Sequence, residues 1–134
     1  MHVRITPRAA DYARRALAGR PELNHTLTVS AFLVGGCCSP NLPPEVHLGP
    51  PADGGFRAVT VPLPPAPAGP ETIEVYVDPL VEDFVRDWYG EEQAAEAARA
   101  VLCIDLAHWG QREELTVAPW PPRPDHPPGH RSGG

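Results

Sequence analysis

Leu27-Thr28-Val29-Ser30-Ala31-Phe32-Leu33-Val34 is the segment whose reading decides the fold. Leu27, Val29, Ala31 and Leu33 alternate onto one face, while Phe32 and Val34 cover part of the other, which predicts one long and largely buried strand. It runs directly into Gly35-Gly36-Cys37-Cys38-Ser39-Pro40. Two adjacent thiols therefore follow a permissive glycine pair and are closed off by Ser-Pro. No other stretch sets reactive side chains into backbone of this kind.

Upstream, Val3 to Ile5 reads as a short extended segment. Thr6-Pro7 reads as N-cap and first helical residue, because the hydroxyl can accept an orphan N–H and proline has no donor to waste there. Ala9, Ala13, Ala16 and Leu17 recur at helical spacing, and Gly19-Arg20-Pro21 closes the helix. Downstream, short strands are expected at Val46–Leu48, at Phe56–Leu63 with Val59, Val61 and Leu63 inward, and at Thr72–Val77. Pro62 marks a strand end or an edge. Asp78-Pro79 opens a helix carrying a Leu80, Val81, Phe84, Val85, Trp88 stripe, and Gly90 separates it from a second helical piece, Glu91–Ala100. In Val101–Leu106, Leu102, Ile104 and Leu106 share one face while Cys103 and Asp105 share the other. Glu114–Ala118 is the last strand expected.

The order is helix, strands, one or two helices, strands. It predicts an α+β domain, mainly β, with helices packed on a curved sheet. One domain is expected over residues 1–118. Residues 119–134 hold six prolines and three glycines, and with so little apolar area they read as a disordered tail.

The chain has 134 residues, 42% of them hydrophobic, which is enough for one unstapled core. Its 19 prolines exclude a helical bundle. All 11 positive side chains are Arg, and the formal net charge is −6, which argues against nucleic acid as a partner. No apolar run is long enough to span a membrane, and the first residues lack the pattern of a secretory signal. Three cysteines, two of them neighbours, do not make a secreted disulfide framework. A cytoplasmic protein is expected, with no membrane or nucleic-acid partner.

Taken in order, several segments resemble the HesB-like family, which includes the A-type carriers of iron–sulfur cluster assembly. They are Ile5-Thr6-Pro7-Arg8-Ala9-Ala10 opening the first helix, the apolar strand into Gly36-Cys37, and Val75-Tyr76-Val77-Asp78 before a helix with a Leu/Phe stripe. Ile104-Asp105-Leu106, Gly110 and a closing strand complete the set, which spans roughly residues 3 to 118. The resemblance implies curved mixed sheets and a metal-binding role for Cys37. Two features depart from it. The A-type carriers bear a Cys-Gly-Cys pair near the C-terminus, where this chain has Thr116-Val117-Ala118-Pro119, and the Gly90–Ala100 insertion is foreign to their pattern. Gly35-Gly36-Cys37-Cys38 followed by Pro44-Glu45-Val46-His47-Leu48-Gly49-Pro50 is similar to a short HesB-like branch marked by a Cys-Cys pair. Some members of that branch have selenocysteine at the motif, which implies redox chemistry.

Cys37 and Cys38 are accordingly the candidate catalytic residues. Thiolate is the reactive form, and backbone N–H groups around a Gly-Gly turn can lower a thiol pKa. One thiol would attack and the other resolve, through a mixed disulfide or a sulfenic acid. The plainer reading is two small buried hydrophobes. A third reading makes Cys37, Cys38 and Cys103 ligands of iron or an iron–sulfur cluster. A cluster normally draws on four cysteines, so a homodimer or a histidine would have to complete the set. Neighbouring side chains on extended backbone point apart, which makes one shared ion hard to reach. Cys103, between Leu102 and Ile104, reads first as a buried strand residue. His47 is the histidine best placed in sequence to assist the cysteines, ahead of His25 and His108. His126 and His130 fall in the tail. Trp88, Trp109 and Trp120 read as packing or linker residues.

The favoured expectation is a thiol protein with a Cys-Cys redox motif, needing no cofactor and using a protein or small-thiol redox partner. The alternatives are an iron or iron–sulfur carrier and a binding domain with inert cysteines.

Overall fold

The computed structural model describes residues 1–31, 42–65 and 69–124, and the backbone of 33–34 and 37–38. Within them the chain is α+β with more strand than helix, wound into a curved, nearly closed sheet. β1 (His2–Ile5) leads into α1 (Pro7–Ala18), and after a 3-10 turn come β2 (Thr26–Ser30), β3 (Leu33–Val34) and β4 (Cys37–Cys38). β5 (Glu45–Leu48), β6 (Arg57–Pro62) and β7 (Thr72–Val77) follow, then α2 (Pro79–Tyr89) and α3 (Ala94–Arg99). β8 (Ala100–Trp109), β9 (Arg112–Val117) and β10 (Arg123–Pro124) end the described chain.

The main sheet has the order β1-β8-β9-β5-β2-β7-β6, with β10 also on β8. β1 runs parallel to β8 and β2 parallel to β7, while the other pairs are antiparallel. β3 and β4 form a separate two-stranded sheet. Pro62 ends β6, an edge strand, where its missing N–H costs no ladder bond.

Alternation fixes which face is inside. Leu27 and Val29 on β2, Ile73, Val75 and Val77 on β7, and Leu102, Ile104 and Leu106 on β8 are buried in one cluster. α1 joins that cluster through Ala9, Ala10, Ala13 and Leu17. Three alanines at that contact leave room for the helix to lie close against the sheet, and dense packing follows. Thr6 caps α1, its hydroxyl accepting from the Ala9 amide, and its own amide donates to the Ile104 carbonyl at 3.0 Å. The outward Asp105 completes the joint. It accepts from the Thr6 hydroxyl and the Leu106 amide at 2.8 Å, and Arg8 grips it with two bonds of 2.8 and 2.9 Å.

Three expectations are corrected. The single strand over residues 27–34 is two, because β2 ends at Ser30 and the Ala31 amide donates to the Asp78 carboxylate instead of a ladder. Phe32 lies outside the described residues. The disordered tail does not begin at Pro119. Pro122 is fully buried, its carbonyl accepts from the Tyr89 hydroxyl at 2.6 Å, and β10 pairs with β8. Proline and tryptophan reach enough apolar surface to hold residues 119–124; residues 125–134 lie outside the described part. Of the three tryptophans, only Trp120 packs against the core, while Trp88 and Trp109 are about two-thirds exposed (65% and 67%). Among the described residues no helix is long and apolar enough to cross a membrane.

The Asp105 joint makes stability depend on acid. Hydrogen bonds from Arg8 chiefly hold the Asp105 carboxyl well below the usual carboxylate range, against the opposing effect of burial. A carboxyl depressed in the folded state stabilises above its unfolded pKa, about 3.9, and loses that contribution as pH falls below it. Asp105→Asn should therefore lower stability at pH 7, by about 1–2 kcal/mol, and flatten its fall between roughly pH 4 and pH 2. Urea denaturation across that range checks both.

Candidate functional site

β2 carries the chain to the cysteines. At its end the Asp78 amide donates to the Val29 carbonyl at 2.9 Å. One Asp78 carboxylate oxygen accepts from the Ala31 amide at 3.2 Å and the other from the Leu80 amide at 3.0 Å. Asp78 thus caps α2 and holds the point where the chain leaves the sheet. Beyond it Leu33 pairs with Cys38 and Val34 with Cys37, so Gly35 and Gly36 stand between the paired residues. That two-residue spacing is the spacing of a hairpin, and Gly-Gly is among the pairs such connections favour. The side chains of Cys37 and Cys38 lie outside the described residues.

Beside the root of this hairpin, β5 presents a titratable pair. Glu45 is opposite Ser30 and His47 opposite Thr28. His47 Nε2 is 3.1 Å from Glu45 Oε2, and both side chains are about half exposed (55% and 46%). Residues two apart on a strand share a face, so the alternation Glu45-Val46-His47 already carried this pairing. His47 also borders a notch of about 190 Å³ with Thr28, Ser30, Asp53 and Phe56. The other sequence-flagged histidines lie elsewhere. His108 meets Glu113 at the tip of the β8–β9 hairpin. His25 precedes β2 at its far end, and burial followed by the nearby Arg14 charge lowers its pKa.

Cys103 sits half-buried on the outer face of β8, as its alternation with Leu102 and Ile104 predicts. Arg4 of β1 is its register partner on one side, and its carbonyl accepts from the Ala118 amide on the other. β9 and β5 stand between β8 and β2. Three interstrand steps of about 4.8 Å separate the strand of Cys103 from the strand that delivers the hairpin, roughly 14 Å along the sheet. Two sulfurs on one zinc-like ion each lie about 2.3 Å from it, so a shared ion would require the hairpin to lie back across β5 and β9. Among the described residues no group of three His, Cys, Asp or Glu side chains is disposed to hold a metal ion.

Asp78 is the residue whose importance the sequence understated. Asp-Pro signals a helix start, whereas its second bond, to Ala31, joins residues 47 apart in the chain. Comparison with protein-family models, with curated proteins and with solved structures returned no match.

Asp78→Ala removes the acceptor of two amides at once. It should cost about 1–2 kcal/mol in stability. Hydrogen exchange at the Ala31 and Leu80 amides should accelerate more than at the Val29 and Val75 amides of the central strands, a contrast that uniform destabilisation would not give.

Proposed function

We propose that this chain is a small cytoplasmic thiol protein whose Cys37-Cys38 pair performs disulfide exchange on a HesB-like scaffold. The observation that carries the reading is the placement of both cysteines in a two-residue strand that, among the described residues, pairs with Leu33–Val34 in a sheet separate from the eight-stranded one. Structural cysteines serve as small hydrophobes within packed strands; Cys103 lies within the long strand β8, half-buried on its outer face. Neighbouring side chains on extended backbone point apart, so a shared ion and a Cys37–Cys38 ring disulfide alike require the backbone to turn at the pair, and the disulfide is the closer approach of the two.

The chemistry balances with a disulfide as oxidant. One cysteine, as thiolate, attacks a disulfide RSSR; a mixed disulfide forms and RS⁻ leaves, taking up the proton the thiol lost. The second thiol attacks the mixed disulfide and expels the other RSH. Two protein thiols are oxidised to a disulfide, and RSSR is reduced to two RSH. The His47–Glu45 pair lies beside the hairpin root, on the strand next to the one that delivers the cysteines. Exchange of this kind needs no bound cofactor, and its partner is a protein or small-molecule disulfide. Free vicinal thiols persist in a reducing compartment, which fits the cytoplasm.

Iodoacetamide at pH 7 should modify Cys37 or Cys38 at least tenfold faster than Cys103, read by peptide mass spectrometry; equal, slow modification of all three would sink the proposal. Protein purified without oxygen should be colourless. A visible iron–sulfur absorption lost in Cys37→Ser would instead establish the carrier reading, with Cys37, Cys38 and Cys103 as ligands and a second subunit to complete them.

A further inference from the structure

Residues 62–70 read Pro-Leu-Pro-Pro-Ala-Pro-Ala-Gly-Pro, five prolines in nine. A proline has no backbone N–H, so the connection from β6 to β7 has few donors with which to close itself. Beyond the β6–β7 ladder, the Leu63 amide donates to the Glu71 carbonyl at 2.8 Å. The other fastening comes from α1. Arg14 Nη2 donates to the Pro64 carbonyl at 2.6 Å and to the Pro70 carbonyl at 3.2 Å. Its stem passes Gly69, where a Cβ would lie 3.6 Å from Arg14 Cδ. One guanidinium therefore ties the helix to both ends of a connection that cannot pair with itself.

His25 stands beside Arg14, in the turn that leads into β2. Asn24 and His25 both have left-handed backbone, with φ of 56° and 54°, which non-glycine residues seldom adopt. Among the described residues, His25 Nε2 is buried without a hydrogen-bond partner, and so is Arg14 Nε. An imidazolium carries N–H on both ring nitrogens. Charging His25 thus puts a donor at Nε2 where no acceptor stands, and a second positive charge next to Arg14. Burial, then the Arg14 charge, lower the His25 pKa from its ordinary 6.5, and a backbone hydrogen bond with Thr72 on β7 opposes them. The nearby carboxylates do not offset Arg14: Glu22 is exposed and paired with Arg20, and Glu71 and Glu74 are exposed on either side of Thr72.

We propose that Arg14 and His25 form an acid-released clasp between α1 and the β6–β7 connection. With His25 neutral, Arg14 is seated on the Pro64 and Pro70 carbonyls. With His25 charged, the two cations separate. His25 is fixed by its turn and by Thr72, whereas Arg14 reaches its carbonyls on a long side chain with many rotamers, so Arg14 is the one that yields to water. His25 binds its proton less readily in the folded chain than in the unfolded one. The clasp is therefore complete above about pH 6.5 and is lost as pH falls below that value, a window well above that of Asp105. None of its atoms belongs to the cysteine hairpin.

Proton NMR titration of the His25 ring and hydrogen exchange at the Leu63 amide test the clasp in the full chain. Arg14→Gln should raise the His25 midpoint by about half a pH unit or more. Corrected for intrinsic rates, Leu63 protection should fall at least about threefold from roughly pH 7.5 to roughly pH 5.5, and protection at Val29 and Val75 should change less. His25→Asn, which keeps a residue suited to left-handed backbone, should remove that fall. Arg14→Gln should leave Leu63 poorly protected at both pH values. Equal Leu63 protection at both pH values in the native sequence, a fall that persists in His25→Asn, or a His25 midpoint indifferent to Arg14→Gln would overturn the proposal. The first of these outcomes needs no variant to fold.

Discussion

The Asp78 carboxylate accepts from the Ala31 amide on one oxygen and from the Leu80 amide on the other, while the Asp78 amide donates to Val29. β2, β7 and α2 meet at this residue, and each takes its boundary from it. β2 ends because its next donor is used by a side chain. β7 stops because Asp-Pro cannot extend a central ladder but can open a helix. The chain leaving β2 is thereby directed out of the sheet into the short hairpin of Cys37 and Cys38. A lone extended strand over residues 27–34 would have placed the cysteines at the end of a core strand; this junction sets them in a unit of their own.

The rest of the molecule supports that junction by closing the sheet. Arg8 and Thr6 on Asp105 fix the start of α1 to β8, and the alanines of α1 let it join the interior cluster. With the inner face filled, polar and reactive groups are left to the outside. Cys103, Asp105, Thr116, Glu45 and His47 all stand on outward positions of β8, β9 and β5. The alternation that buries Leu102 and Ile104 turns Cys103 outward, and β9 and β5 stand between its strand and the strand that leads to the hairpin.

Periodic patterning made much of this legible. The α1 face, the Ile73-Val75-Val77 alternation, and the inward and outward sides of β8 follow from spacing, because one face must be buried whatever the partner. The pairing of His47 with Glu45 was equally present in the i, i+2 spacing. What spacing could not carry are contacts between distant segments. The bond of Ala31 to Asp78 broke a strand whose apolar alternation continues across the break. Trp120 and Pro122 pack because Tyr89 and β8 lie beside them, and nothing in a proline-rich run announces that. Trp88 belongs to a helical stripe, yet Val81 and Val85 take the buried side and leave it exposed.

The central claim is that Cys37 and Cys38 react with each other and without Cys103. The most direct measurement is peptide mass spectrometry of the Cys103→Ser protein after exposure to one equivalent of oxidised glutathione. A loss of two hydrogens within the single peptide that contains both cysteines, with release of two equivalents of reduced glutathione, is the expected result. Thiols left unchanged, or a disulfide found only between two chains, would contradict it.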